Sequence, residues 1–387
     1  MRILYINYAK YGGGNWIHMS QFLASMNAIH DDIIDYTPKA RKKEYGKELN
    51  GEASASNPDH LRELRYLFSG LIRRVGSEAK QLIRHKPDIV VLRRDRWISS
   101  VILCFLMKLP IILEDNGPIV VEDQLMPRHF RLRGARFWNW YELNILNLAT
   151  HVFVVSETLR QYYIKQGLAP QKITSVPNGV DTLQFNSAIS GAKVREKFEL
   201  QDKVIVGFSG SFTSWHGLDF LLENMKTFFT SENSLKEKSR LLLIGKAFAY
   251  FSMPDIPQKS TIATGYVGYE EMPEYLAALD IIVAPYPLIE PFYFSPLKLF
   301  EAMSMGKTVL ASDQGQIAEI IIDGYNGVLY PPGDSEVFLK KLKLLISDDA
   351  LREQLGKRAR ETIEKKYTWK DNARKILNLC RCYAKKS

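Results

Sequence analysis

The chain has 387 residues, 46% hydrophobic and 25% charged, a balance that excludes collagen, coiled coil and wholesale disorder. Its formal net charge of +9 is uneven: residues 1–181 hold 25 Lys and Arg against 18 Asp and Glu, and the remainder holds 27 against 25. At about 100 to 200 residues per domain the length suggests two domains, with the basic surplus in the first.

The first residues, Met-Arg-Ile-Leu-Tyr-Ile-Asn, read as a buried strand and not as a signal peptide. Short apolar runs then alternate with stretches of helical period, the pattern of βα repeats and of parallel sheets covered on both faces. The expected fold class is therefore α/β. In the first half the strand candidates are 3–7, 32–36, 89–92, 111–114, 151–155 and 173–176, with helical patterns after Asn57-Pro58 and over 157–166. The longest apolar run, 101–113, is interrupted by Lys108 and Pro110 and falls short of the roughly 20 residues that span a bilayer. A turn-forming Pro177-Asn-Gly179 cluster marks the domain boundary. Beyond it the strand candidates are 204–209, 241–244, 262–267, 281–285, 309–312 and 328–330, separated by helical patterns at 272–279, 296–303 and 335–345. From Asp349 to the end the pattern is helical, and the last helix either folds back onto the first domain or packs at the edge of the second. Cys104, Cys380 and Cys382 form no disulfide framework or zinc spacing, which fits a reducing, cytoplasmic compartment.

Three segments carry chemistry. Gly12, Gly13 and Gly14 lie between the first strand and a helix, where backbone N–H groups attract anions; a tight βα turn accounts for them equally well. In Phe294-Ser-Pro-Leu-Lys-Leu-Phe-Glu301, Ser295 suits the N-cap and Pro296 the first helical position. Lys298 then sits in the first turn, where a cation opposes the helix dipole at a cost of about 0.3 to 1 kcal/mol. If Lys298 holds a diphosphate and Glu301, on the same face, accepts from sugar hydroxyls, that defect becomes a binding device; the alternative is a surface Lys/Glu pair. The third segment, Gly210-Ser-Phe-Thr-Ser-Trp-His-Gly217, combines a strand-end glycine with Ser211 and His216 as donors to an oxyanion.

Taken in order with Val155-Ser-Glu157, Pro177 to Asp181, Gly265-Tyr-Val267, Glu319 to Gly327 and Tyr367-Thr-Trp369, these segments resemble the family 4 retaining glycosyltransferases of GT-B type over nearly the whole chain. The resemblance implies two Rossmann-like parallel-sheet domains facing a central cleft: residues 1–180 on the acceptor side, 181–368 binding a nucleotide sugar, and 369–387 a helix crossing back to the first domain. It implies further that Glu301 holds the ribose, that Tyr266 and Val267 meet the base, that Gly13 and Gly14 close over the diphosphate, and that Glu114 to Pro118 faces the sugar. The chain departs from the family pattern at Tyr293, where the first acid of Glu-x7-Glu is expected and Glu290 is nearby. It departs again at Ser211 and His216, which stand where many members carry Arg and Lys, and at Asn116, which stands where many carry His. Lys298 then replaces the lost charge.

The expected reaction is retaining transfer of a sugar from a UDP- or GDP-type donor to a hydroxyl of a saccharide or lipid-linked saccharide, in envelope, exopolysaccharide or glycolipid assembly. Lys298, His216, the helix start at Ser295, Pro296 and Leu297, Gly210 and Gly12 to Gly14 would stabilise the leaving diphosphate. Asn116 would orient the sugar or acceptor, with Glu290 or Tyr293 near the ring. No Asp-x-Asp motif occurs, so no metal and no further cofactor are expected. The alternatives are a nucleotide-sugar epimerase on the same fold and a degenerate GT-B binding subunit. Basic stretches 39–47, 62–86 and 128–140, the last with Phe130, Phe137, Trp138 and Trp140, suggest peripheral contact with anionic lipid at the cytoplasmic face, or simply solvated helix faces. No nucleic-acid module is recognised.

Overall fold

The computed structural model describes residues 1–8, 14–37, 60–94, 99–124, 134–232, 234–246 and 256–385. The chain divides into two compact units, Met1–Pro177 with Trp369–Ser387, and Asn178–Thr368.

The first unit runs β1 (Ile3–Ile6), α1 (Gly14–Asn27), β2 (Ile33–Tyr36), α2 (His60–His85), β3 (Ile89–Arg93), α3 (Ser99–Leu106), β4 (Ile111–Asp115), α4 (Ile119–Gln124), α5 (Ala135–Leu148), β5 (His151–Val154), α6 (Glu157–Lys165) and β6 (Ile173–Ser175). The strands form one parallel sheet in the order β2-β1-β3-β4-β5-β6. β1, β3, β4 and β5, apolar apart from Arg93, Glu114, Asp115 and His151 at their ends, are buried at every position, as strands covered by helices on both faces are, whereas edge strand β2 is not. The chain leaves β1 towards β2 and then doubles back, so right-handed crossovers put α1 on one face and α2, α3, α5 and α6 on the other.

The second unit continues with α7 (Ala192–Lys197), β7 (Val204–Ser209), α8 (Leu218–Thr230), β8 (Ser239–Ile244), β9 (Thr261–Ala263), α9 (Met272–Ala277), β10 (Ile281–Ala284), α10 (Leu297–Ser304), β11 (Thr308–Ser312), α11 (Gly315–Ile320), β12 (Val328–Tyr330), α12 (Ser335–Ser347) and α13 (Asp349–Lys366). Its sheet, also parallel, has the order β12-β11-β10-β7-β8-β9, so the direction of winding reverses between β7 and β10. Ligands in open α/β sheets collect at the carboxyl ends of strands beside such a reversal. Phe208, Leu221, Met225, Phe228 and Phe338 form part of the core of this unit.

The last helix, α14 (Trp369–Tyr383), returns to the first unit and packs along α1. It buries Ala373, Ile376, Leu377 and Cys380. Trp369 meets the His18 ring edge-on at 5.1 Å, Tyr383 stacks on His151 at 5.1 Å, and Asn372 Nδ2 donates to the Pro177 carbonyl at 2.6 Å. Expected strand limits shift by a residue or two, with one larger correction. β9 stops at Ala263 and does not reach Val267, because Gly265 turns to φ +75° and its carbonyl accepts from Gly245 N–H at 3.1 Å. Among the described residues no helix is long and apolar enough to cross a membrane.

Candidate active site

The carboxyl ends of β7 and β8 meet at two glycines. Gly210 lies at φ +137° and Gly245 at φ +148°, and a Cβ on Gly245 would fall 1.9 Å from the Gly210 carbonyl oxygen. Gly217, at φ +71°, starts α8 against the end of β10, with room for no side chain: a Cβ there would lie 1.6 Å from Pro285 O. Gly217→Ala is therefore expected to cost about 1 to 3 kcal/mol by overpacking and ~1 to 2 kcal/mol more in left-handed strain. Urea unfolding measures it, and a loss within error would contradict this packing.

Beside these glycines stands Lys298, at the second position of α10. Its Nζ is buried without a hydrogen-bond partner, 4.6 Å from the centroid of the Phe208 ring and 4.9 Å from that of Tyr286. It also lies 3.2 Å from where a Cβ on Gly210 would be. Burial pulls its pKa down to about 7, with the Glu301 charge opposing the fall. Glu301, one turn on and 7% exposed, is pushed up to about 7 by burial, against the Tyr269 hydroxyl that donates to it and against Lys298. The two rings attract the ammonium, but they cannot replace its hydration shell. An anion entering here would complete what the protein leaves unsatisfied.

His216 ends a short 3-10 turn over Ser214–His216, and its Nδ1 lies 2.8 Å from the Ser211 carbonyl oxygen, with Thr213 Oγ1 at 3.1 Å and Ser211 Oγ at 3.2 Å. A carbonyl only accepts, so the proton sits on Nδ1 and the other ring nitrogen carries a lone pair. Burial, then the Lys298 charge, pulls the imidazole down to about 3, so it is neutral near pH 7. His216, expected as a donor to an oxyanion, can therefore offer a second N–H only after taking up a proton, which a bound anion would favour.

The helix expected to be capped by Ser295 and to begin at Pro296 begins at Leu297 instead. Pro296 occupies the cap position, extended, and makes no side-chain cap. Ser295 is used otherwise: its Oγ accepts from Asn178 N–H at 3.0 Å and its carbonyl from Asn178 Nδ2 at 2.6 Å. The Pro-Asn-Gly turn thereby anchors the entry to α10 and leaves the N–H groups of its first turn without a side-chain cap. Gln314 fixes the other side of the approach. Its amide donates to Tyr286 O (3.1 Å), Pro287 O (2.8 Å) and Ser312 Oγ (3.1 Å), and its Oε1 accepts from Ile289 N–H (3.1 Å).

In the first unit the strand ends converge on a carboxylate. Glu114 Oε1, on β4, accepts from Arg93 Nη1 (2.5 Å), His18 Nε2 (2.9 Å) and Asn116 Nδ2 (3.0 Å), and Oε2 accepts from the Tyr5 hydroxyl (3.1 Å). Burial alone would raise Glu114; Arg93 and then His18 outweigh it and hold the pKa near 2. Alongside, Arg94 bridges Asp115 (2.5 Å) and Glu142 (2.9 Å), while Asp115 Oδ1 accepts from Gly117 N–H (3.0 Å), which fixes the turn that carries Asn116.

Two family profiles cover most of the chain: "Glycosyltransferase Family 4" matches residues 18–184, and "Glycosyl transferases group 1" matches residues 192–362. The chain belongs to glycosyltransferase family 4. This glycosyltransferase is 23% identical over 285 residues to the lipopolysaccharide 1,2-N-acetylglucosaminetransferase of Salmonella typhimurium, covering 68% of this chain and 72% of that protein. Sucrose-phosphate synthase from Thermosynechococcus elongatus superposes with a TM-score of 0.74 at 19% identity, covering 99% of this chain and 98% of that one. The Anabaena protein HepE in complex with UDP gives 0.73 at 18%, covering 99% and 100%. At these identities the structures share the GT-B fold.

Within the second unit of this glycosyltransferase Gly210, Ser211, His216 and Lys298 come together, with Glu301 a turn beyond Lys298. Tyr266 is exposed, Val267 is buried, and Leu297 opens α10. Glu290 and Tyr293 part company: Glu290 is exposed, and Tyr293 is buried with its ring 4.3 Å from that of Phe294. Gly14 is the first residue of α1, and Gly12 and Gly13 lie outside the described residues. His18, Arg93, Asn178, Tyr269 and Gln314 were not expected from sequence. Only the weak signals of a Pro-Asn-Gly turn and of strand-end polar residues pointed towards two of them.

Proposed function

We propose that this glycosyltransferase transfers a sugar, with retention, from a UDP- or GDP-type nucleotide sugar to a hydroxyl of a saccharide or lipid-linked saccharide in envelope, exopolysaccharide or glycolipid assembly. The observation that carries the reading is the buried, unpartnered ammonium of Lys298 beside the β7–β10 reversal. As the sugar–phosphate bond breaks, charge grows on the leaving diphosphate, and a preorganised cation next to an uncapped helix start stabilises it most in the transition state. Gly210 and Ser211 supply close backbone approach, His216 a second N–H once protonated, and Glu301 an acceptor for ribose hydroxyls, with Tyr266 and Val267 beside the base. Asn116, its amide held by Glu114, would orient the sugar or acceptor, and Gly14, the first residue of α1, would offer backbone N–H to the diphosphate. The Salmonella relative, named as acting on lipopolysaccharide, and UDP bound to HepE support these classes of acceptor and donor. No divalent ion is required in this scheme, because Lys298 takes the role of the counter-charge.

Calorimetry with UDP and GDP, in EDTA at pH 8 and in two buffers of different ionisation heat, tests the reading. Free Lys298, near 7, is mostly neutral at pH 8 and a diphosphate draws it into the charged form, so binding is expected to take up a proton. Failure of both nucleotides to bind would favour a degenerate subunit, and binding without uptake would remove Lys298 from the diphosphate. Product analysis with and without acceptor separates transfer from epimerisation, and the anomeric configuration of the product tests retention.

A further inference from the structure

On the first unit, α3 packs against both α2 and α5, on the sheet face opposite α1. Its sequence, Ser-Ser-Val-Ile-Leu-Cys-Phe-Leu, is apolar all round. Such a helix is normally buried on every side. Here Val101 and Cys104 are buried, while Phe105 is 59% and Leu106 70% exposed, with Ile102 beside them. On α5 the outer face carries Phe137 and Trp140, 55% and 61% exposed, in a plate of rings with Trp138 and Tyr141 at centroid distances of 5.4 to 6.2 Å. Exposed Ile72 and Ile83 add to this on α2. Large apolar side chains exposed on neighbouring packed helices mark an interaction site.

Charge selects the partner. Among the side chains described on these helices (72–85, 99–106 and 135–148) the acids are Glu78 and Glu142, both buried. The exposed charges are all basic: Arg73, Lys80, Arg84 and Arg136, with Lys108 just past α3. A second copy meeting this face across a two-fold axis would set Lys and Arg against Lys and Arg. Indole and phenol rings rimmed by cations match instead the boundary between acyl chains and anionic headgroups. Of the basic stretches expected to meet lipid, 39–47, the side chains of 62–71 and 128–133 with Phe130 lie outside the described residues.

We infer that the outer face of α2, α3 and α5 is a docking surface for an anionic lipid bilayer, with Phe105, Leu106, Phe137 and Trp140 entering the headgroup region. This goes beyond the reading of the strand-end site and is tested without any sugar donor. The full chain is floated with phosphatidylcholine vesicles, with and without phosphatidylglycerol. Wild type is expected to bind the anionic vesicles, less at high salt, and brominated phosphatidylglycerol to quench its tryptophan fluorescence. Phe105→Ser and Trp140→Ser, at exposed positions, should each weaken binding about tenfold with unfolding midpoint and UDP affinity unchanged; Arg84→Glu with Arg136→Glu should remove the preference for anionic lipid. No flotation of wild type, no quenching, or flotation indifferent to these substitutions overturns the inference. A dimer in sedimentation that the same apolar substitutions dissociate, without lipid binding, would make the face a protein interface instead.

Discussion

Lys298→Met is expected to raise the stability of the protein while cutting donor turnover by about 100- to 1,000-fold. The two halves of this result have one cause. In the folded protein the Lys298 ammonium has lost its water and gained no hydrogen-bond acceptor, only the faces of Phe208 and Tyr286. That arrangement favours the neutral amine, which is why its pKa falls to about 7. A thioether of similar length keeps the packing and has no charge to desolvate. The unfolded lysine binds its proton up to about pH 10.4 and the folded one only up to about 7, so wild-type stability rises with pH between those values. Methionine removes that slope, and the gain in stability is therefore greatest at and below pH 7. Unfolding midpoints at a series of pH values, beside turnover with a nucleotide sugar, provide the measurement. A variant that is less stable at every pH, or one that turns over donor normally, would contradict the role given to Lys298.

The same residue shows why part of this site was legible in the sequence. A lysine in the first turn of a helix works against the dipole, and a local rule broken without local gain points to function. The architecture was legible for a different reason: strands buried on both faces, such as Ile-Leu-Tyr-Ile in β1, read as apolar runs whatever their neighbours. What was hidden depends on long separations. Asn178 and Ser295 are 117 residues apart, and their pairing moves the start of α10 by one residue. Ser295 and Pro296 carry strong local signals for a cap and a first turn, and tertiary hydrogen bonding overrode them. Glu114 draws its partners from positions 5, 18, 93 and 116, on three other elements and its own turn, and none of those residues announces the carboxylate it will meet. His216 was visible as a polar residue at a helix start, but its tautomer is set by the Ser211 carbonyl, which is a matter of loop geometry.

Glu114→Ala is expected to cost about 3 to 5 kcal/mol of stability, and the mechanism lies in what remains. Glu114 is fully buried and accepts four hydrogen bonds, one of them from Arg93, which is itself 8% exposed. Alanine removes the anion and leaves the guanidinium in the interior without the carboxylate that offsets its desolvation. Glu114→Gln keeps the shape and one acceptor but loses the charge, and should fall between wild type and alanine. The pH dependence identifies the charge as the agent. The folded pKa, near 2, lies below the usual carboxylate value of 4.5, so the contribution is fully present above about pH 4.5 and is lost as pH falls through 2. Urea unfolding of wild type and variant should differ by a constant amount above pH 5 and converge in acid; a difference that persists unchanged towards pH 2 would assign the loss to packing. Asn116→Ala separates stability from the sugar chemistry, because it deletes one of the four donors to Glu114 and leaves Arg93, His18 and Tyr5 in place. It is expected to unfold within about 1.5 kcal/mol of wild type yet to transfer sugar more slowly, and equal turnover would remove Asn116 from the reaction while leaving the Glu114 argument intact.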